Sequence, residues 1–343
     1  MLGEPLLTLT VGVSSPRIRT ALCAAGLLLL AGCGSDDDAG ATAGDATAGD
    51  ATAGDATAGS AAPPDDQVVV ALDDFAAMHA LTLGVEPDLV LEVFEYESTS
   101  AVFDDLGLQT RPYGAELDLE TVAGAAPDLI LGVSIPTTAS AEPQLDALAP
   151  TTVVDYTAGW DEQLASVAEA LGRESTAEEI RQRLEDATAG LAADVEAAGL
   201  AGSVTSVVGD NGGFFSPPAA TAVGSVLAEV GLGRPPAQEQ AGDPSSPFVT
   251  FTAETLSEHD GDALFLLSGG PYVTEALTGS PLWAGLRAVQ ADAVHEVSGE
   301  VWLSASAFSV DWVLDDLRAT LLDGTEPAAP AEAPARFAEF TDG

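Results

Sequence analysis

The sequence predicts an α/β fold, with two α/β lobes joined by a long spine helix. Three observations carry that expectation. Short apolar runs alternate with helical stretches through residues 68–154 and again through 204–297, a long amphipathic helix lies between the two series, and one unit recurs in both. With 343 residues, 46% of them hydrophobic and 19% charged, the chain can bury a sizeable core.

The first series opens with Val68–Leu72, an apolar run of the kind buried in a parallel sheet, followed by a helix over Asp74–Leu83 that Gly84 ends. Strand-like runs recur at Asp88–Val93, Leu108–Thr110, Asp128–Val133 and Thr151–Val154, with helical stretches between them. After Trp160 the period changes. Leu164, Val167, Ala168 and Leu171 mark one helix, and Ile180, Leu184, Ala187, Leu191 and Val195 mark a second. Ser175 with Glu178 has capping-box spacing, and Glu179 stands four residues before Arg183 in the favourable order. About 23 residues from Thr176 would run roughly 34 Å, the length of a spine rather than of a sheet-crossing helix. The second series has strands at Val204–Val208, Phe248–Phe251, Ala263–Leu267 and Ala293–Val297, then a helix at Val310–Leu322. The expected divisions are an N-terminal lobe at 67–158, a helical linker and spine at 159–200, a C-terminal lobe at 201–324 and a loose Ala/Pro/Glu-rich tail at 325–343.

The repeat ties the two series together. Glu120-Thr-Val-Ala-Gly-Ala-Ala-Pro-Asp128-Leu-Ile-Leu-Gly-Val-Ser134 aligns with Glu254-Thr-Leu-Ser-Glu-His-Asp-Gly-Asp262-Ala-Leu-Phe-Leu-Leu-Ser268 at a constant offset of 134. In each copy Glu and Thr open a short helix, an eight-residue step leads to Asp, and an apolar strand runs on to Ser.

Charge and cysteine count exclude several classes. Ten Arg, no Lys and 55 acidic residues give a formal charge of −45, which repels a polyphosphate, so no nucleic-acid partner is expected. Two cysteines rule out a disulfide scaffold or a four-Cys metal site, and three histidines leave little for a histidine-based one. At the N-terminus, Arg17 and Arg19 precede an apolar run from Ala21 to Ala31, roughly 16 Å of helix against a hydrocarbon core of about 30 Å. This reads as an export signal over residues 1–32, and Leu30-Ala31-Gly32-Cys33 resembles the lipobox of bacterial lipoproteins. That resemblance implies cleavage before Cys33 and a lipid on its thiol, anchoring the chain at the outer face of the cytoplasmic membrane. Sixteen residues ahead of Arg17 are long for an n-region, so translation is expected to start downstream, at Val11 or Val13. Residues 33–66 follow as an acidic tether built on repeats of Ala-Thr-Ala-Gly-Asp, too small and polar to bury a core. Without residues 1–32 the charge is −46, a balance that fits salt-adapted life.

Five stretches stand in a characteristic order: Val68-Val-Val-Ala-Leu-Asp73, Leu119-Glu120 leading into Ala126-Pro-Asp-Leu-Ile-Leu-Gly132, Leu145-Asp-Ala-Leu-Ala-Pro-Thr151, Ala170-Leu-Gly-Arg173, and Ser280-Pro-Leu-Trp283 running on to Val301-Trp302. Through them the chain from residue 67 to about 323 resembles the substrate-binding lipoproteins of the iron-siderophore and cobalamin ABC importers, a bilobal class with a rigid helical linker. The resemblance implies a monomer with a ligand cleft between its lobes, serving an ABC permease dimer and its cytoplasmic ATPase. A glutamate at the start of the repeated helix in each lobe would meet permease arginines, and the matching positions are Glu120 and Glu254.

Ligands of α/β lobes sit beyond the carboxyl ends of the strands. That rule selects Tyr96, Arg111, Tyr156 and Trp160 in the first lobe and Phe214, Tyr272 and Trp302 in the second, aromatic walls that suit a bulky, partly apolar chelate. Arg111, the only cation between Cys33 and Gly172, is the candidate for orienting a chelate oxygen, and Trp283 is assigned to packing. So few cations favour a near-neutral ferric hydroxamate over a trianionic catecholate or citrate complex, with cobalamin or haem the competing ligands. An Fe(III)-siderophore is already ligand-saturated, so no protein metal ligand and no cofactor are expected. His79, His259 and His295 are too scattered for a direct metal-ion binder. An exported enzyme is the rival from another class. The chain has no Gly-x-Ser-x-Gly elbow and no phosphate-cradling loop, and the lobe repeat argues against a surface adhesion module.

Overall fold

The computed structural model describes residues 67–113, 117–240 and 248–343. The expected signal peptide, Cys33 and the tether lie outside the described residues. The N-terminal lobe holds strands β1 (Val69–Ala71), β2 (Leu89–Glu92), β3 (Thr110–Pro112), β4 (Leu129–Val133) and β5 (Thr151–Val154), with α1 (Asp74–Thr82), α2 (Glu97–Leu106), α3 (Leu119–Gly124) and α4 (Pro136–Leu145) between them. Every pairing is parallel and the order is β3-β2-β1-β4-β5. Parallel neighbours need a crossover, which the helices supply on both faces, so β1 is buried on both sides. Val69 and Ala71 face the larger core, and Val70 and Leu72 face a smaller outer one.

Helices α5 (Trp160–Leu171) and α6 (Glu174–Ala197) follow. The 24 residues of α6 span about 36 Å and bury Ile180, Leu184, Leu191 and Val195 against α5 on one side and the second lobe's helices on the other. That lobe contains β6 (Thr205–Asp210), β7 (Phe214–Ser216), β8 (Val249–Phe251), β9 (Ala263–Ser268) and β10 (Val294–Ser298), in the order β10-β9-β6-β7-β8. Its helices are α7 (Ala222–Glu229), a 3-10 helix at Ala253–His259, α8 (Glu275–Thr278), α9 (Arg287–Gln290), α10 (Gly299–Trp302), α11 (Ala307–Arg318) and α12 (Ala333–Asp342). The described residues thus form the expected two α/β lobes joined by a long helix.

The repeat has a physical basis. Asp128 Oδ2 accepts the Val68 N–H at 2.9 Å, and Asp262 Oδ2 accepts the Val204 N–H at 2.8 Å. Each carboxylate, standing just before the second inner strand of its sheet, fixes the start of the strand beside it. At the far ends of β4 and β9, Ser134 Oγ accepts the Tyr156 N–H just after β5, while Ser268 Oγ donates to the Val297 carbonyl of β10. Each lobe therefore ties its second inner strand to one parallel neighbour at its start and to the other at its end, with the residues that recur.

Four expectations need correction. β3 starts at Thr110 rather than Leu108, because α2 ends in a left-handed Gly107 whose neighbour Leu108 donates back to the Phe103 carbonyl at 2.9 Å, closing the helix before extended backbone can begin. Ser175 does not cap the spine. Left-handed Gly172 hands α5 directly to Arg173, α6 starts at Glu174, and Ser175 falls inside its first turn. The second lobe is not a uniform β-α series, for β7 and β8 run antiparallel after a hairpin at Asn211-Gly212-Gly213, where Gly212 takes φ 101°. Finally, the tail is ordered. α12 packs against α2, with Phe337 and Phe340 edge-on to Phe308, the Arg183 guanidinium 4.4 Å above the Phe340 ring and Arg336 over Trp312. It straps the second lobe and the spine to the first. Phe337→Ala should cost about 3 kcal/mol in urea unfolding; an unchanged midpoint would mean that the strap contributes nothing.

Candidate ligand-binding crevice

The strand order of the first sheet reverses between β1 and β4, and a crevice opens at such a switch point beyond the carboxyl ends. Two adjacent carboxylates organise that end. Asp73 caps α1 through Oδ1 to the Ala76 N–H at 2.8 Å, and its Oδ2 accepts the Val133 N–H at 2.8 Å, joining the ends of β1 and β4. Asp74 Oδ2 accepts the N–H groups of Val93 and Phe94 at 2.8 and 3.0 Å, and its Oδ1 accepts the Thr99 hydroxyl at 3.3 Å, holding the chain from β2 into α2. Burial pushes the Asp73 carboxyl up to about 6 despite these backbone donors, and raises Asp74 as well.

Fixing those loops gathers aromatic rings. Phe75 lies 4.8 Å from Phe94, 6.0 Å from Tyr96 and 5.8 Å from Tyr156, on which it stacks, while Phe94 stacks on Tyr96 at 5.2 Å. The other lobe answers with Tyr272, whose ring is 6.0 Å from Phe215, itself 4.5 Å from Phe248. The lobes meet where the hydroxyls of Tyr96 and Tyr272 lie 3.3 Å apart, the two residues being 5% and 8% exposed. Beside them Glu300, 2% exposed, accepts both the N–H and the hydroxyl of Ser98 at 3.1 Å through Oε2. Tyr96 at the start of α2 makes no side-chain cap, so this carboxylate of the opposite lobe serves as the cap of α2. Two glycines make the approach possible: a Cβ on Gly299 would fall 2.4 Å from the Tyr272 ring, and one on Gly270 would fall 2.6 Å from Glu300 Oε1. Burial pushes the Tyr156 phenol up to about 12 and raises Tyr96 and Tyr272, with Glu300 adding to the rise of Tyr272 and Asp74 to that of Tyr96.

Of the seven expected ligand residues, the structure brings together Tyr96, Tyr156 and Tyr272. It removes Trp302, which is 1% exposed inside the core, 4.7 Å from Phe265, with its indole N–H donating to Asp316 Oδ2 at 2.8 Å. Trp160 is likewise a core residue, at the first turn of α5. Phe214 turns to the far side of the β6–β7 hairpin and packs on Phe251 at 5.7 Å, beside a recess of about 420 Å³. Arg111 is exposed on the outermost strand, its Nη1 donating to the neighbouring Thr110 carbonyl at 2.7 Å. Arg111 lies within β3 and Phe214 within β7 rather than beyond a strand, and Trp160 and Trp302 sit on helices α5 and α10 that turn their rings into the core. Sequence reasoning missed Phe75, Phe94, Phe215 and Glu300. The signal for Phe75 was present, since it follows Asp73 and Asp74 directly at the end of β1.

Glu120 and Glu254 are both exposed and both occupy the second position of their helices, after caps Asp118 and Thr252. The Thr252 hydroxyl holds the Glu254 carboxyl below its usual range. The histidines serve separate ends. His79 Nε2 lies 3.2 Å from Gln163 Oε1, His259 stacks on Phe251 at 3.9 Å and His295 packs by Phe265, and burial pushes His79 and His259 down to about 4. Among the described residues no group of three or more His, Cys, Asp or Glu side chains is arranged to hold a metal ion, and no helix is long and apolar enough to cross a membrane.

The family model described as periplasmic binding protein matches residues 69–300, from β1 into α10. The chain belongs to that family. Its members are substrate-binding proteins rather than enzymes, and the family implies a place outside the cytoplasm for this periplasmic binding protein. The achromobactin-binding periplasmic protein of Dickeya dadantii is 26% identical over 270 residues, covering 73% of this chain and 85% of its own. Staphylococcus aureus SirA complexed with staphyloferrin B superposes with a TM-score of 0.66 at 23% identity, over 74% of this chain and 92% of that one. The siderophore periplasmic binding protein from the fuscachelin gene cluster of Thermobifida fusca gives 0.61 at 26% identity, over 77% and 98%.

The raised Asp73 makes a testable contribution. A carboxyl whose value is higher in the folded chain binds its proton more tightly there, so its stabilisation is complete below about 4 and is lost as pH rises through about 6. The buried histidines titrate with opposite sign over an overlapping range, so the test must be differential. The unfolding free energy of the wild type minus that of Asp73→Asn should fall by roughly 2 kcal/mol between pH 4 and pH 7. A difference independent of pH would refute it.

Proposed function

We propose that this protein captures a ferric siderophore outside the cytoplasm, in the crevice walled by Tyr96, Tyr156 and Tyr272, and hands it to an ABC import permease. One observation carries this reading. Three of the chain's four tyrosines, drawn from both lobes, converge where the strands of the first sheet end. Phenol hydroxyls donate to chelate oxygens, and the rings behind them cover the apolar ligand backbone. The names of the relatives support the class, since achromobactin and staphyloferrin B are siderophores and S. aureus FhuD2 has been solved with bound ferrioxamine B. A hydroxamate is favoured over a catecholate because the gathered walls are aromatic and acidic, so a trianionic complex would lose its hydration without replacement. The metal arrives inside its chelate, as cargo.

Delivery would rest on Glu120 and Glu254, which are exposed and equivalent in their lobes, each meeting one half of a permease dimer driven by its cytoplasmic ATPase. A lipid on Cys33 and the acidic tether behind it keep the crevice near the membrane.

Two measurements test these steps. Titration of the protein's tryptophan fluorescence with ferric hydroxamates, ferric catecholates, cobalamin and haem should saturate at the lowest concentration with a hydroxamate; tightest binding of cobalamin or haem would replace the siderophore reading. Reversing both charges, Glu120→Arg with Glu254→Arg, should abolish iron uptake by cells while leaving ligand affinity within about twofold. Unaltered uptake would remove the docking assignment.

A further inference from the structure

Among the described residues, the walls of the crevice carry buried acid and no opposing cation. Glu300 reaches in from the start of α10, and Asp74 stands behind Tyr96 and Thr99. Seven of the eight described arginines are held by other partners, Arg111 by the Thr110 carbonyl and Arg183 over the Phe340 ring among them. Arg181, Arg287, Arg318 and Arg336 pair with acids such as Glu178, Asp262, Asp194 and Asp315, while Arg234 is sunk behind β7 on Ser216, Pro217 and Gln238. Glu300 itself is held ready. Ser98 fixes Oε2 with two donors, and Oε1 rests against Gly270. A carboxylate held by neutral donors keeps its negative field, whereas an ion pair would have cancelled it. An anionic chelate entering here meets repulsion with nothing to offset it, and a cationic one meets attraction in a site shielded from water.

We propose that Glu300 selects the cargo by charge, so that the crevice prefers a ferric trishydroxamate carrying a free ammonium group, which Glu300 receives. This rests on the siderophore reading above and narrows it. The hydroxamate donors neutralise Fe(III), the remaining ammonium makes the complex cationic, and the selectivity comes from the second lobe while the first supplies the aromatic wall.

Three probes separate the outcomes at low ionic strength: ferrioxamine B with its ammonium free, the same complex with that amine acetylated, and ferric citrate. The wild type should bind the free-amine complex about tenfold more tightly than the acetylated one and ferric citrate most weakly. Glu300→Gln, which keeps an acceptor oxygen for Ser98, should bring the two hydroxamates to within about threefold of each other. The acetylated ligand tests the wild type alone, so the comparison stands even if the variant folds poorly. Equal affinity of the wild type for the two hydroxamates, or a preference that survives Glu300→Gln, overturns charge selection and leaves the siderophore reading intact. Failure of all three complexes to bind overturns both.

Discussion

The contact on which the rest of the arrangement depends is the one by which Glu300 caps a helix of the other lobe. A helix start leaves backbone donors without intrahelical partners, and burying them costs free energy unless something accepts them. α2 begins at a residue whose side chain cannot do so, because Tyr96 there is turned toward Tyr272. Glu300 fills the gap across the interface, and Gly270 and Gly299 provide the room. The same few residues therefore complete a helix, close one lobe on the other and shape the crevice. Opening the lobes removes the α2 cap, so separation carries a cost that water or a ligand must offset.

Both lobes are variations on one inner strand tied to its parallel neighbours. Asp128 and Asp262 clamp the strand starts in the same way, yet the edges differ, since the first sheet continues with parallel strands and the second turns back through a hairpin. That hairpin brings Phe215 under Tyr272 and carries Phe214 away from it. α12 then binds the lobes on their outer side, where Arg183 of the spine and Arg336 of the strap each lie over an aromatic ring. A bilobal protein with a helical spine and such a strap has little freedom to swing widely, which agrees with a crevice whose facing tyrosines already touch.

Much of this was legible in the sequence. The strands Thr151–Val154 and Ala263–Leu267, the spine and the offset-134 repeat follow from periods and spacings that burial dictates directly. The errors share a cause: a residue near a strand end is easily placed, but where its side chain points depends on where that strand stops and the next helix begins. Trp302 and Trp160 fall on helices that turn them into the core, and Arg111 falls inside the edge strand. Asn211-Gly212-Gly213 was a readable hairpin signal that a uniform β-α rhythm obscured. The tail was misjudged from its Ala and Pro content, although Phe337 and Phe340 stand three apart, the spacing of one helical face. Glu300 could not have been found, because its role exists only when residues 202 positions apart meet.

The most direct test of the central claim is a crystal structure of the protein grown with a saturating ferric trishydroxamate, with the iron located by its anomalous signal. The account predicts one iron between the lobes, its chelate touching Tyr96, Tyr156 and Tyr272, and the hydroxyls of Tyr96 and Tyr272 parted from their 3.3 Å contact. Iron bound elsewhere on the surface, with the two tyrosines still joined, would contradict it.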